Sequence, residues 1–343
     1  MLLQPETYTG TTRYDALNRP IQLIAPHSDQ PGAPVNIIQH AYHHRANLLD
    51  RVDAWLGQPA EPDGPLDPAT ATLPAVTGIS YDAKGQRTQI SYGNSTSTGY
   101  TYDPLTFRLL RLTTGQFQDL TYTYDPVGNI TELRDAAQQT IFFRNKLVEP
   151  SAEYTYDATY RLIEATGREH LGQAGGPPIP HSYNDAGRTG LPHPGDGNAL
   201  GRYLERYTYD AVGNFTEMRH RGTDPAAPGW TRAYSYREPS LLDPALPSNR
   251  LSATTVGQTV EPYTYDTHGN MLTMPQLQEM RWDFRDQLQL TRRQAVNATD
   301  TDGEAQAGER TWYVYDAAGE RVRKVTKVTE TAPGQPRTER IYL

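Results

Sequence analysis

Three histidines are spaced as metal ligands on a helix would be. His40, His43 and His44 occupy positions i, i+3 and i+4, which a helix would bring together around a divalent cation. In a strand the same side chains point to different faces, and no carboxylate motif such as His-Glu-x-x-His accompanies them. Ligand spacing without supporting groups is a weak indication. The sequence therefore favours no metal site at these histidines.

An acidic stretch near the C-terminus partly overlays a calcium-binding loop. Four residues fall on positions 3, 5, 6 and 12 of the twelve-residue loop, namely Asp300, Asp302, Gly303 and Glu309. The first ligand position, normally Asp, is Ala298, and the flanking residues have the pattern of strands rather than helices. We therefore interpret the stretch as a solvated hairpin loop, with calcium binding as the less favoured alternative.

The common catalytic signatures are absent from the chain. It has no Gly-x-Ser-x-Gly nucleophile elbow, no phosphate-binding Gly-x-x-x-x-Gly-Lys loop and no dinucleotide fingerprint after a strand. With no Cys, it has neither a thiolate metal site nor a Cys nucleophile. The 40 acidic side chains leave a hydrolase with paired carboxylates as a hypothesis that has only abundance behind it. We expect a protein that is not an enzyme and has no cofactor.

A Tyr-Asp pair is the pattern that dominates the sequence. The fuller unit is aromatic-x-Tyr-Asp-x-x-Gly-Asn followed by an apolar residue, as in residues 122–130, 207–215 and 263–271, with a variant at 313–322. Eight pairs begin at Tyr14, Tyr81, Tyr102, Tyr124, Tyr156, Tyr209, Tyr265 and Tyr315. Degenerate copies near Tyr42, Tyr183, Tyr234 and Trp282 bring most intervals to about 20–30 residues, which is typical of repeat arrays.

Each copy is predicted to form a β-hairpin. Aromatic residues two apart share one face of a strand, and the Asp carboxylate can fold back on the backbone N–H groups of the turn. The Gly supplies the positive φ that closes a short loop. These roles are structural rather than catalytic. The predicted structural turn residues are Tyr124, Asp125, Gly128, Tyr209, Asp210, Gly213, Tyr265, Asp266, Gly269, Tyr315, Asp316 and Gly319.

Composition agrees with an all-β fold that lacks one thick aliphatic core. Only 36% of the 343 residues are hydrophobic, Tyr (23) far exceeds Phe (6), and Gly (28) with Pro (27) argue against a helical protein. No apolar stretch approaches the ~18 residues needed to span a bilayer. The N-terminus has no signal-peptide pattern. A net charge of −8 argues against nucleic acid as a partner.

We predict one repeat array over residues 1–343, a continuous curved antiparallel sheet with irregular insertions near 57–78 and 171–201. Within the first insertion, the Pro-rich segment 58–68 is predicted to be an exposed loop. Residues 44–56 have apolar side chains at helical spacing, but they also fit the return strand of the degenerate copy at Tyr42. We favour the strand.

The Tyr-Asp-x-x-Gly-Asn repeats resemble the RHS/YD-repeat proteins, which include bacterial polymorphic toxins, the B and C components of insecticidal toxin complexes, and animal teneurins. The likeness is greater to the C-component group. It lies in the run 142–170 and in Leu-Pro-His-Pro at 191–194 followed by 203–214. The end of the chain, 339–343, resembles the start of the family's shell-closing core. The resemblance covers essentially the whole chain.

This resemblance implies a sheet that spirals to form part of a hollow shell around a toxic C-terminal polypeptide. The implied partners are the remaining shell polypeptide and the enclosed toxin, and the implied location is extracellular, as part of a secreted toxin complex. The family's closing core, with its aspartate autoprotease, and the toxin would follow Leu343 and are expected to be absent here. No family catalytic residue is therefore transferred to this sequence.

The abundance of Tyr supports a second hypothesis. Aromatic faces stack on sugar rings, so the repeats could form a carbohydrate-binding or cell-surface-binding module. A shell segment is the favoured function.

Overall fold

The computed structural model describes residues 6–171, 197–225, 229–294, 307–327 and 337–342. The chain divides into two compact units, Met1–Gln139 and Thr140–Tyr342. Nearly all regular structure in the described ranges is antiparallel β-sheet, and the one short exception is a 3₁₀ turn at Pro68–Thr70. The all-β prediction is confirmed. No helix in these ranges is long and apolar enough to cross a membrane.

The first unit is a meander in which each strand pairs antiparallel with the next along the chain. Short turns rich in Asp, Gly and Asn connect most of the strands, as expected for hairpins. The strands are β1 (Tyr8–Tyr14), β2 (Pro20–Ser28), β3 (Val35–Tyr42), β4 (Leu49–Gln58), β5 (Leu73–Tyr81), β6 (Arg87–Tyr92), β7 (Ser97–Tyr102), β8 (Leu109–Thr114), β9 (Gln118–Tyr124) and β10 (Ile130–Asp135).

The second unit repeats this arrangement in several pieces. A small hairpin pairs β11 (Ile141–Phe143) with β12 (Lys146–Val148), and another pairs β20 (Thr264–Tyr265) with β21 (Met271–Thr273). One meander contains β13 (Ser151–Tyr156), β14 (Leu162–His170), β15 (Leu200–Tyr209), β16 (Phe215–Gly222), β17 (Trp230–Ser235), β18 (Ala253–Val256) and β19 (Thr259–Pro262). Another contains β22 (Leu277–Trp282), β23 (Leu288–Gln294), β24 (Ala307–Tyr315), β25 (Arg321–Lys327) and β26 (Arg337–Ile341).

The hairpins with a Tyr-Asp turn share a one-residue bulge beside the turn. In the β15–β16 hairpin Tyr209 lies opposite Phe215, whereas Thr208 lies opposite Glu217, so Thr216 is an extra residue on the return strand. The β9–β10 hairpin has the same shift next to Tyr124. A bulge bends the strand and increases its right-handed twist. The repeat therefore adds a similar increment of twist at each such turn.

Residues 49–58 form strand β4, so the choice of strand over helix for 44–56 is confirmed for this part. Strand β4 pairs with β3 on one side and β5 on the other. This pairing places Trp55 in the hydrophobic core of the first unit, together with Ile24, Val35 and Ile37. The sequence of this segment fits both a helix and a strand, and pairing with β3 and β5 selects the strand.

The Pro-rich segment is a mostly exposed loop, as the sequence predicts, but it also packs partly against the sheet. Leu66 and Ala71 pack against the core cluster, and the Trp55 indole N–H donates to the Thr70 hydroxyl at 3.0 Å. The irregular segment is also shorter than predicted, because residues 73–78 belong to β5. Proline excludes regular pairing, but it does not prevent a loop from covering apolar side chains.

Two glutamines fasten this loop to the sheet. Gln22, fully buried, donates to the Gly64 carbonyl at 3.1 Å, and Gln39 accepts from the Leu66 N–H at 2.8 Å while donating to its carbonyl at 2.9 Å. Arg13 donates to the Pro62 carbonyl. These bonds supply partners for the loop backbone, which could not otherwise lie on a sheet face. The second predicted insertion lies largely outside the described residues.

Candidate functional site

The repeat turns are the candidate functional site, and the Asp in each turn binds the backbone that follows it. In the β9–β10 turn, Asp125 Oδ1 accepts hydrogen bonds from the N–H groups of Gly128 (2.7 Å) and Asn129 (2.8 Å). Its Oδ2 accepts from the Asn129 side-chain amide at 2.7 Å. The Asp125 N–H donates to the Asn129 carbonyl at 2.9 Å. One carboxylate thus organises the whole turn.

The other predicted turns have closely similar geometry. Asp210 and Asp266 accept from the backbone and side-chain amides of the Asn four residues later, and Asp316 accepts from the backbone N–H of Glu320. The turn glycines all have positive φ, which side chains disfavour. The values are 113° at Gly128, 98° at Gly213, 92° at Gly269 and 91° at Gly319.

These hydrogen bonds favour the ionised carboxylate. Burial raises the pKa of Asp125, but the bonds from Asn129 and Gly128 outweigh it and hold the pKa below its usual value. At Asp157 the backbone N–H of Arg161 contributes most to lowering the pKa, against a smaller effect of burial. A carboxylate whose oxygens already accept several N–H groups stays charged at neutral pH and is a poor proton acceptor.

In six turns the Tyr ties its hairpin to the preceding one. The Tyr124 hydroxyl donates to the Leu109 carbonyl at 2.7 Å, at the start of the preceding return strand. The same bond is made back along the chain by Tyr42 to Pro20, Tyr81 to Leu49, Tyr102 to Arg87, Tyr209 to Leu162 and Tyr265 to Leu251. This recurring row of bonds is called the tyrosine ladder below.

Arginines strengthen the ladder in the opposite direction. The Arg108 guanidinium lies 5.7 Å from the Tyr124 ring centroid, and it donates to the carbonyls of Asp125 and Pro126 in the next turn. Arg161 stacks on Tyr209 at 4.9 Å and donates to the Asp210 carbonyl. A guanidinium can stack on a ring and donate from its edge at the same time. At Tyr124 and Tyr209, neighbouring hairpins are therefore held together by both a hydroxyl bond and a cation–π contact.

This arrangement can hold hairpins together, but its carboxylates are directed at turn backbone. In the described parts of the chain, no three His, Asp or Glu side chains converge in a way that could hold a metal ion. The chemistry that the turns support is therefore assembly of an extended sheet.

Comparison with known proteins identifies the kind of sheet. No protein-family model matches the chain. The toxin subunit YenC1 of Yersinia entomophaga is 31% identical over an alignment of 338 positions, which covers 94% of this chain and 30% of YenC1. The crystal structure of TcdB2-TccC3 matches with a TM-score of 0.68 and 26% identity, over 98% of this chain and 14% of that one.

The chain is an RHS/YD-repeat module of the toxin-complex type. It spans less than a third of the length of the relatives that it matches. A further relative of this RHS module is named probable deoxyribonuclease RhsB of Dickeya dadantii, at 26% identity over 84% of this chain and 17% of RhsB.

The remaining candidates in this RHS module do not form a second site among the described residues. His40 lies on strand β3, while His43 and His44 lie in the turn that follows, with their rings stacked at 5.1 Å. The calcium-like stretch at 298–306 and the degenerate copy at Tyr183 lie outside the described residues. Asp283, in the degenerate copy at Trp282, accepts from the N–H groups of Arg285 and Gln287 as the regular turns do.

Sequence analysis did not identify the arginines that stack on the tyrosine ladder. A signal was present, because the position four residues after the turn Asp is polar in most copies, as with Arg19, Gln86, Asn129 and Arg161. Its side chain reaches the next turn in several cases: Arg19 donates to Asn47, and Gln86 donates to the Phe107 carbonyl. The spacing shows which residue is polar, but only the pairing of hairpins shows what it contacts.

Proposed function

We propose that the chain is a non-enzymatic wall segment of a shell that encloses a toxic polypeptide within a toxin complex. The observation that supports this most is the match of its hairpin array to TcdB2-TccC3 over nearly the whole chain. The commitment of the turn carboxylates to backbone N–H groups supports a structural rather than a catalytic role.

The sheet has the character of a wall between two aqueous spaces. Most residues of strand β15 are half-buried, including Tyr203, Glu205 and Tyr207. Arg206 and Thr208 are exposed, and only Gly201 is fully buried. A sheet with water on both sides needs lateral cohesion more than a thick apolar core. The tyrosine ladder supplies that cohesion through bonds that run along the array.

We further propose that residues 1–343 form a single repeat array, since both units are built from the same Tyr-Asp hairpins. The proposed partners are the rest of the shell polypeptide and an enclosed toxin. The proposed place of action is outside the producing cell, as part of the secreted complex.

Protease protection of a cargo tests this function. The chain is co-expressed with the flanking shell segments of a YenC1-like subunit, their B-component partner and a C-terminal cargo, and the purified particle is treated with trypsin. We expect the cargo to survive in the complete particle and to be digested when residues 1–343 are omitted. Equal digestion in both samples would contradict the proposal.

A carbohydrate-binding surface is the alternative function. Two repeat-associated rings favour it, because Tyr14 (55% exposed) and Tyr160 (59% exposed) face solvent, unlike the half-buried ladder tyrosines. Binding of the full chain to a glycan array, lost in a Tyr14→Ala, Tyr160→Ala double variant, would favour this function over containment.

A further inference from the structure

A histidine is enclosed between two carboxylates on one face of the second unit. Glu205 on β15 lies directly opposite His220 on β16, with 3.0 Å between Glu205 Oε1 and His220 Nδ1. Glu169 on β14 approaches the other side of the ring, with 2.8 Å between its Oε2 and His220 Nε2. The exposed fractions of the His220, Glu169 and Glu205 side chains are 10%, 15% and 17%.

This geometry favours a charged ring. A neutral imidazole donates from one nitrogen and accepts at the other, whereas both nitrogens donate in the imidazolium form. A carboxylate can only accept, so two ionised carboxylates at the two nitrogens require two N–H groups. The hydrogen bond from His220 is the largest cause of the lowered pKa of Glu205, which keeps that carboxyl ionised.

Aromatic residues on the neighbouring strands complete the enclosure. The Tyr203 and Trp230 rings each stack on the His220 ring, with centroids at 5.1 Å and 5.4 Å. The Tyr207 hydroxyl donates to the second oxygen of Glu205. The titratable groups that face His220 are Glu169 on β14 and Tyr203, Glu205 and Tyr207 on β15, while β17 contributes the uncharged Trp230.

One group of the cluster titrates in the mildly alkaline range. The hydrogen bonds from Glu169 and then Glu205 outweigh burial and raise the pKa of His220 to about 9. Burial raises the pKa of Tyr203, and it does so more strongly at Tyr207, so both phenols stay protonated through that range. Loss of the His220 proton would leave two enclosed carboxylates facing a ring that can donate to only one of them.

We propose that Glu169, His220 and Glu205 form an alkaline-sensitive latch that joins strands β14, β15 and β16, and that this part of the sheet loosens when His220 becomes neutral. Because the folded-state pKa lies above the ordinary value of 6.5, the stabilisation is complete below pH 6.5 and is lost as the pH rises through about 9. If the chain forms the shell wall proposed above, the latch is the place where that wall would weaken at alkaline pH. Only this last statement rests on the proposed function.

Two measurements on the full 343-residue chain test the latch, independently of any cargo. An NMR titration of ¹⁵N-histidine-labelled protein should show a His220 midpoint near pH 9, and the Glu169→Gln variant should lower that midpoint. The urea midpoint of the wild type should fall between pH 7 and pH 10, while that of His220→Gln should not fall over the same range.

The matched control is His268→Gln. His268 also contacts a carboxylate, Asp286 at 2.9 Å, but the pair is exposed, so the variant should keep the wild-type alkaline profile. A His220 midpoint at or below pH 7, or an unchanged alkaline loss in His220→Gln, would overturn the latch. The NMR midpoint is read on the wild type, so the test survives a variant that folds poorly.

Discussion

At the scale of single residues, the excess of Tyr over Phe has a physical cause. Phenylalanine would supply the same ring for the guanidinium to stack on, but it could not donate to the carbonyl of the preceding hairpin. The Leu109 carbonyl accepts the Tyr124 hydroxyl at 2.7 Å, and five other tyrosines make the same type of bond. Tyr rather than Phe is therefore favoured by a contact between neighbouring repeats, not by one within a single repeat.

Replacing Tyr124 by Phe should destabilise the first unit by about 1 kcal/mol, because it removes one half-buried hydrogen bond and keeps the packing of the ring. The free energy of unfolding from urea titrations measures this. Tyr14→Phe is the matched control, since Tyr14 occupies the same repeat position but its hydroxyl makes no hydrogen bond within the described residues. Equal losses in the two variants would mean that the hydroxyl bond contributes nothing.

The sequence predicts the turn residues well, because Asp and Gly act on backbone only a few positions away. It does not predict the cluster around His220. Glu169 and His220 are 51 residues apart, and their meeting depends on the register of β14, β15 and β16. That register includes the bulge beside Tyr209, which moves the following residues of β16 by one position relative to a regular pairing.

At the scale of elements, glycines have three different environments. Gly78 lies in strand β5 with open space where a Cβ would be. Gly213 has a φ of 98° in a repeat turn, also with open space. Gly229, next to β17, combines a φ of 83° with a Cβ position only 2.2 Å from the His220 carbonyl oxygen. Alanine at these three positions therefore separates the free-energy cost of a positive φ from that of a Cβ clash with a neighbouring strand.

Alanine at these three positions should give a graded series of unfolding free energies. Gly78→Ala should be within about 0.5 kcal/mol of the wild type. Gly213→Ala should lose about 1–2 kcal/mol through its left-handed backbone, and Gly229→Ala should lose more, roughly 3 kcal/mol, because strand β16 must also move. Urea titrations followed by circular dichroism measure the series, and any other order would contradict this account of the turns.

At the scale of the whole molecule, the least predictable feature is how the Pro-rich loop lies. Its composition is typical of an exposed linker, and its sequence gives no pattern that shows burial. Most of the loop is exposed, but its Leu66 packs against the cluster of Ile24, Val35, Ile37 and Trp55. Its partners, Gln22 and Gln39, lie on strands β2 and β3, so the packing follows from the meander and not from the loop itself.

Leu66→Ala should therefore destabilise the first unit by about 1–2 kcal/mol, since it removes a partly buried side chain that packs against the core cluster. Hydrogen exchange measured by mass spectrometry should show faster exchange in β2, β3 and β4 and unchanged exchange in the second unit. Leu105→Ala is the control, because that side chain is 85% exposed in a repeat turn and its loss should be nearly neutral. Unchanged protection in Leu66→Ala would show that the loop is not part of the core.

The ladder bonds also have a direction along the chain. Tyr42, Tyr102, Tyr124 and Tyr209 all donate backwards, to a carbonyl that precedes them by 15 to 47 residues. During translation, every acceptor carbonyl is therefore synthesised before its donor hydroxyl. Each new hairpin can then bond to the preceding hairpin, which has already left the ribosome. The array can grow from its N-terminus as a row of successive additions, without any late segment having to thread between earlier ones.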